Sequence, residues 1–181
     1  MSAKKLNTRQ ILQNNLSRKA PEALGNLRII LHNVRSMHNV GSAFRSADAF
    51  GIREILLSGY TPFPPRAEIS KTAIGAEKYV DWHHFKEVSG LLSYVEEKQG
   101  VLIGIEQTDQ SIPMPSYRPP SGPSLCLVFG NEVTGIGEAL LPHIDTFLEI
   151  PQYGNKHSLN VSVTIGVSLY AFLQKFWKHQ V

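Results

Sequence analysis

The 181-residue chain is 42% hydrophobic and 18% charged, with a formal net charge of +3 at neutral pH. That composition fits one folded domain large enough to bury a core, and it excludes a low-complexity or highly charged disordered chain. No apolar run approaches the ~20 residues of a membrane span, and the polar start Met-Ser-Ala-Lys-Lys has no apolar signal segment. The expected compartment is the cytoplasm. The charge is unevenly spread: up to Arg35 the chain carries Lys4, Lys5, Arg9, Arg18, Lys19, Arg28 and Arg35 against a single acid, Glu22. A basic arm of this kind, set apart as residues 1–24, could lie along a phosphate backbone or form a solvated amphipathic helix.

Taken in chain order, Thr8–Lys19 reads as a short helix with Thr8 as its cap, stopped before Pro21. Leu27–Val34 is an Ile/Leu/Val-rich strand. Asn39–Phe50 is a helix, with Val40, Ala43, Phe44, Ala47 and Phe50 at helical spacing and Gly51 as the residue that ends it. Glu54–Ser58 is a strand, Arg66–Ile74 a short helix and Tyr79–Trp82 a short strand. Lys86–Gln99 is a helix ended by Gly100, followed by a strand over Val101–Ile105. The proline-rich stretch 112–123 is a linker-like connection. Leu125–Phe129 is a strand whose one cysteine, Cys126, is expected as a buried thiol. A short helix around Glu138–Leu141 precedes a last strand, Thr146–Ile150.

From Ser158 to Leu169 apolar and small polar residues alternate strictly, which is the period of a strand. The run is long for a strand, however, and it flows without a breaker into helical-looking sequence at Tyr170–Lys178. Periodicity leaves helix and strand both open there. The rest alternates strand with helix, so residues 25–181 are expected to form an α/β domain, a mostly parallel sheet with helices on both faces. Ligands in such sheets collect beyond the carboxyl ends of the strands, which points to the loops after Val34, Phe129 and Ile150.

Those loops hold three polar, glycine-containing segments: His32 to Arg45, Phe129 to Gly137, and Ile150 to Ser162. In the first, Asn39 is placed to cap the following helix, and Arg45 lies six residues on, roughly 9 Å along the helix axis. In the second, a glycine-rich turn lets a ligand approach the backbone. Ile136 stands where a phosphate-binding loop has Lys, so triphosphate binding is disfavoured, and no G-x-G-x-x-G fingerprint occurs. In the third, Ser158 is a possible cap for a final helix. With a single cysteine and no H-E-x-x-H pattern, no zinc or other metal site is expected. No G-x-S-x-G elbow supports a serine hydrolase. The adjacent His83 and His84 are assigned to a strand-end loop.

In this order the three segments resemble the motifs of the SpoU (TrmH-like) family of SPOUT RNA methyltransferases, over about Ile29 to Tyr170. The resemblance implies a C-terminal trefoil knot, an exception to the usual unknotted connections, and a helix after Ser158. It implies S-adenosylmethionine as cofactor, with Ile105, Gly130, Ile150 and Leu159 at cofactor-contacting positions. It also implies Arg45, Asn39, Glu132, Ser158 and Asn160 as catalytic positions, an RNA partner and a homodimer with each active site near the subunit interface. The family scheme makes the arginine a base. A guanidinium with a pKa above ~12 suits that role poorly, and a clamp on the phosphate and on developing alkoxide charge is the better expectation. The polar stretch Gln152–His157 departs from the apolar connection common in the family. No separate N-terminal RNA-binding domain is visible, so RNA would be held by the basic arm with Lys175, Lys178 and His179, a pattern that leans towards tRNA over rRNA. The alternatives are a non-catalytic RNA-binding module of the same fold and methylation of a base or protein.

Overall fold

The computed structural model describes residues 3–177, so Lys178 and His179 lie outside the described residues. Seven strands form one sheet: β1 (Leu27–His32), β2 (Glu54–Ser58), β3 (Asp81–Phe85), β4 (Gly100–Ile105), β5 (Ile112–Pro113), β6 (Ser124–Phe129) and β7 (Thr146–Glu149). Their order is β3-β2-β1-β6-β4-β7-β5, and every neighbouring pair is parallel. The helices are α1 (Thr8–Ser17), α2 (Glu22–Gly25), α3 (Met37–Phe50), α4 (Ala67–Ala73), α5 (Val88–Glu97) and α6 (Val161–Trp177).

The central strands β1 and β6 are apolar on both sides because both sheet faces are covered. Leu27, Ile29 and Leu31 join Leu125, Leu127 and Phe129 in a core under α3, α4 and α6, while Ile30, Cys126 and Val128 turn to the opposite face against Leu91 and Val95 of α5. The parallel α/β sheet with helices on both faces is as expected. Cys126 is buried, and burial pushes its thiol up to about 12.

Several boundaries differ from the sequence reading, each for a local reason. Asn7, not Thr8, caps α1: its side chain accepts from the Gln10 N–H while the Gln10 side chain accepts from the Asn7 N–H. Helix α1 buries no residue. Arg66 and Ile74 flank α4 as caps instead of belonging to it. Strand β3 runs later than expected because its parallel register with β2 pairs Glu54 with Asp81 and Ser58 with Phe85. His83 and His84 therefore sit within a strand, not in a loop. Gln99 takes the left-handed conformation (φ 50°) at the end of the α5 segment, so Gly100 becomes the first residue of β4. The short helix expected around Glu138–Leu141 forms instead as a 3₁₀ turn at Leu141–His143. The connection 112–123 carries the short strand β5 and a 3₁₀ turn at Met114–Ser116 that buries Met114.

The open question at Ser158–Leu169 resolves to helix from Val161 onward, with Ser158–Asn160 leading into it. Ile165, Ser168, Leu169 and Phe172, at helical spacing, are the buried residues of α6. Val163, Val167 and Tyr170 are 49%, 42% and 55% exposed. Two apolar faces on one helix produce an alternation that mimics a strand.

Candidate active site

The carboxyl ends of β4, β6 and β7 open together into a cavity of about 480 Å³. Ile105, Gly130 and Ile150 line it from the strand ends, and Ser158, Leu159 and Asn160 close it from the segment that enters α6. Gly130 is required by backbone packing: a Cβ there would lie 2.2 Å from the Gly135 carbonyl carbon and 2.3 Å from the Ile136 nitrogen. The crowding arises because the chain folds straight back. Asn131 and Gly135 exchange backbone hydrogen bonds of 2.9 and 3.0 Å, and the Asn131 Oδ1 accepts from the N–H groups of Val133 and Thr134.

Glu132, thrust out by this turn, joins the second segment to the first. Its carboxylate accepts from the backbone N–H of Arg35 (3.0 Å), the backbone N–H of Ser36 (3.1 Å) and the Asn39 side-chain amide (3.0 Å). Burial alone would raise this carboxyl. The hydrogen bonds from Arg35, Asn39, its own backbone and Ser36 outweigh it and hold the group below the ordinary value. The N-terminus of α3 also favours an anion at this point. Asn39 is free for the contact because Ser36 is the cap: its side chain accepts from the Asn39 N–H at 3.3 Å. The capping role expected for Asn39 is thereby corrected.

Ser158 does not cap α6 either. Asn160 does, its Oδ1 accepting from the Ser162 N–H (2.8 Å) and its carbonyl from the Thr164 N–H (2.9 Å). Ser158 is left as a cavity wall. The Gln107 amide donates to the His157 carbonyl at 3.0 Å and tethers this segment to the end of β4.

Of the candidate residues, Glu132, Ser158 and Asn160 share the cavity with Ile105, Gly130, Ile150 and Leu159, and Asn39 touches it through Glu132. Arg45 is elsewhere. It is exposed on α3 and lines a separate groove of about 430 Å³ with Ser42, Ser46, Lys71 and Thr72. The close approach of α3 and α4 that forms this groove depends on Gly41, where a Cβ would lie 2.1 Å from the Thr72 Oγ1 and 2.3 Å from the Ile69 carbonyl oxygen.

Sequence reasoning missed Glu106, Gln107 and Asn131. Glu106 accepts from the Ile136 N–H (3.2 Å) and its own neighbour's N–H (3.1 Å), pinning the glycine-rich turn to β4. Asn131 is buried and donates to the Asn33 carbonyl (2.9 Å) and the Tyr60 hydroxyl (3.0 Å). The signal for Glu106 was available: two polar residues directly follow the apolar run ending at Ile105, at a fourth strand end.

The cavity lining carries Glu106, Glu132 and Glu149 and contains neither Lys nor Arg. Such a lining suits a ligand bearing positive charge and disfavours a polyphosphate. Its apolar walls and the backbone exposed at Gly130 fit a nucleoside with a sulfonium side chain.

The profile of the SpoU rRNA methylase family matches residues 26–170. The 23S rRNA (guanosine-2'-O-)-methyltransferase RlmB of Neisseria meningitidis serogroup B is 31% identical over 143 residues, which cover 79% of this chain and 56% of that protein. This chain thus spans little more than half the length of that relative. Among solved structures, the A. aeolicus TrmH/SpoU tRNA modifying enzyme shares the fold with a TM-score of 0.74 at 22% identity, covering 94% of this chain and 86% of that one. AviRb from Streptomyces viridochromogenes, in complex with the cofactor AdoMet, has a TM-score of 0.77 at 20% identity, covering 92% and 65%. With the family profile spanning most of its length and all three motif segments, the chain belongs to the SpoU rRNA methylase family.

Proposed function

We propose that this protein transfers a methyl group from S-adenosylmethionine to a ribose 2′-hydroxyl of RNA. The observation that carries the reading is the acid-lined cavity at the ends of β4, β6 and β7, joined to the first-motif loop through Glu132. When bound, the cofactor supplies a methyl group already activated on a sulfonium sulfur. Ile105, Gly130, Ile150 and Leu159 would hold it, the first three at strand ends where backbone groups are within reach. Alignment of an acceptor against such a group is worth ~7–11 kcal/mol when well oriented. Ser158 and Asn160 are placed at the cavity wall to orient a ribose, and Glu132 fixes the loop that frames it.

Arg45 lines no part of its own chain's cavity, and among the described residues it makes no ion pair. Its role as a clamp on phosphate and alkoxide charge belongs to a homodimer in which the groove of one copy faces the cavity of the other. The exposed apolar residues Val163, Val167 and Tyr170 on α6 supply a surface for that pairing. Residues 1–24 act as a basic arm on RNA, the 150–160 connection threads the trefoil knot, and the enzyme works in the cytoplasm. Either rRNA, as for the Neisseria relative, or tRNA, as the basic arm suggests, offers the ribose.

Mixed dimers test the arrangement. An Arg45→Ala chain and a chain disabled at Gly130 should each be inactive alone, and mixing them should restore methyl transfer at one site per dimer. No restoration would exclude the shared site. Calorimetry with S-adenosylmethionine separates the enzyme from an RNA-binding module of the same fold, which would give no binding heat.

A further inference from the structure

Beside the first-motif loop lies a second hollow, of about 610 Å³, lined by Arg35, Tyr60, Thr61, Phe63, Arg66 and His84 among others. It is separate from both the cofactor cavity and the Arg45 groove. Its aromatic walls are exposed yet held in place. Phe63 is 36% exposed, and its ring packs on Trp82 (centroids 5.8 Å apart, planes at 27°) and on His84 (4.4 Å, 36°). His84 is itself fixed by the hydrogen bond from its Nε2 to the Gly59 carbonyl at 3.0 Å. Tyr60 is 60% exposed, but its backbone N–H donates to the Asn33 Oδ1 (3.2 Å) and its hydroxyl accepts from the Asn131 amide (3.0 Å).

The charge of the hollow is one-sided. Arg35 and Arg66 are exposed, neither forms an ion pair among the described residues, and no carboxylate lines the cavity. The hollow is also continuous with the catalytic framework. The Arg35 backbone donates to Glu132, and the asparagine that holds Tyr60 is the residue before Glu132.

We infer that this hollow holds an unpaired nucleotide of the RNA substrate, its base stacked on Phe63 and Tyr60 and its flanking phosphates on Arg35 and Arg66. Exposed, pre-positioned aromatic rings accept any base by stacking. Guanidinium groups without protein partners match phosphate oxygens in pairs. The site rests on the RNA reading above and extends it: a nucleotide here would neighbour the one whose ribose enters the cofactor cavity, and it would govern RNA affinity without touching the methyl donor.

A mixed-sequence single-stranded 12-nucleotide RNA bearing 5-iodouridine is the probe, used for anisotropy titration and for photocrosslinking read by peptide mass mapping. With the full chain, crosslinks should fall on Tyr60, Phe63 or His84. Phe63→Ala and Arg66→Gln should each weaken RNA binding about tenfold, in the range of a lost base stack, with S-adenosylmethionine affinity unchanged as the sign of an intact fold. If Phe63→Ala loses cofactor binding through misfolding, Arg66→Gln and the crosslinks decide. RNA bound by the wild type with crosslinks only outside residues 59–84 and full affinity in Arg66→Gln would overturn the inference alone. No RNA binding by the wild type at all would overturn the RNA reading and this inference with it.

Discussion

At Glu132 one carboxylate ties the loop after β6 to the first turn of α3 through three donated hydrogen bonds. Glu132→Gln removes the charge and puts an amide N–H₂ where only acceptors fit, so the variant should be destabilised by about 1 kcal/mol, solvent replacing part of what is lost. Urea denaturation measures this. The group's folded pKa is held below its ordinary 4.5, so in that window the unfolded chain binds the extra proton and stability rises with pH. The contribution is therefore full above pH 4.5 and is lost as pH falls through the depressed value. The gap between wild type and variant should close there, and a gap that widened in acid would refute the assignment. His32 behaves similarly at higher pH. It is buried, accepts from the Asn33 amide at Nε2 and meets the Ser58 Oγ at 3.2 Å through Nδ1, and burial lowers its pKa from 6.5. Stability should fall as pH drops below 6.5, and replacing His32 with Gln should flatten that part of the profile. Arg45→Ala should cut methyl transfer by about 10²–10³, the usual loss for one transition-state donor, while calorimetry finds cofactor affinity nearly intact. Comparable turnover would remove Arg45 from the chemistry.

Among the elements, the turn after β6 and the α3–α4 pair are the places where a single methyl group should matter. A Cβ on Gly130 would collide with backbone at Gly135 and Ile136, which cannot swing aside as a side chain can. Gly130→Ala should reshape the cavity and abolish cofactor binding before it unfolds the sheet, and thermal denaturation beside calorimetry distinguishes the two. Gly41→Ala should force α3 from α4 at a cost of about 1–3 kcal/mol, the usual penalty for overpacking, and should disturb the Arg45 groove. Elements whose burial follows one period were legible in the sequence: β2 was placed at its observed ends, and Val40, Ala43, Phe44 and Ala47 of the stripe read on α3 are buried, while Phe50 at its end is half-buried. Where two partners compete for a residue, sequence alone was insufficient. Asn39 has both a backbone and a carboxylate within reach, and only the fold brings Glu132, 93 residues away, to claim its side chain. Helix α6 misled because its second apolar face stays exposed at Val163, Val167 and Tyr170 among the described residues. Glu106 was legible as a polar residue at a strand end, but its task was not: it serves a loop that folds over it from 30 residues on.

For the whole molecule, one sheet brings the three motif segments to the same edge, and strand order explains how. Strand β6 lies between β1 and β4, so the second segment opens beside the first on one flank and beside the end of β4 on the other. The third segment then follows β7, the next strand along, and returns through α6 to pack on α3. Arg45 alone faces away, which is why a dimer is part of the proposal. Light scattering should give twice the chain mass, and Val167→Arg on the exposed face of α6 should yield a monomer that binds S-adenosylmethionine but methylates poorly. A fully active monomer would break that link. The central claim is transfer to a ribose hydroxyl. Its most direct test is incubation with separated tRNA and rRNA fractions and S-adenosylmethionine carrying an isotope-labelled methyl group, followed by nucleoside mass spectrometry. A labelled 2′-O-methylnucleoside from one fraction is the expected result. Label on a base, or label in neither fraction despite cofactor binding, would contradict it.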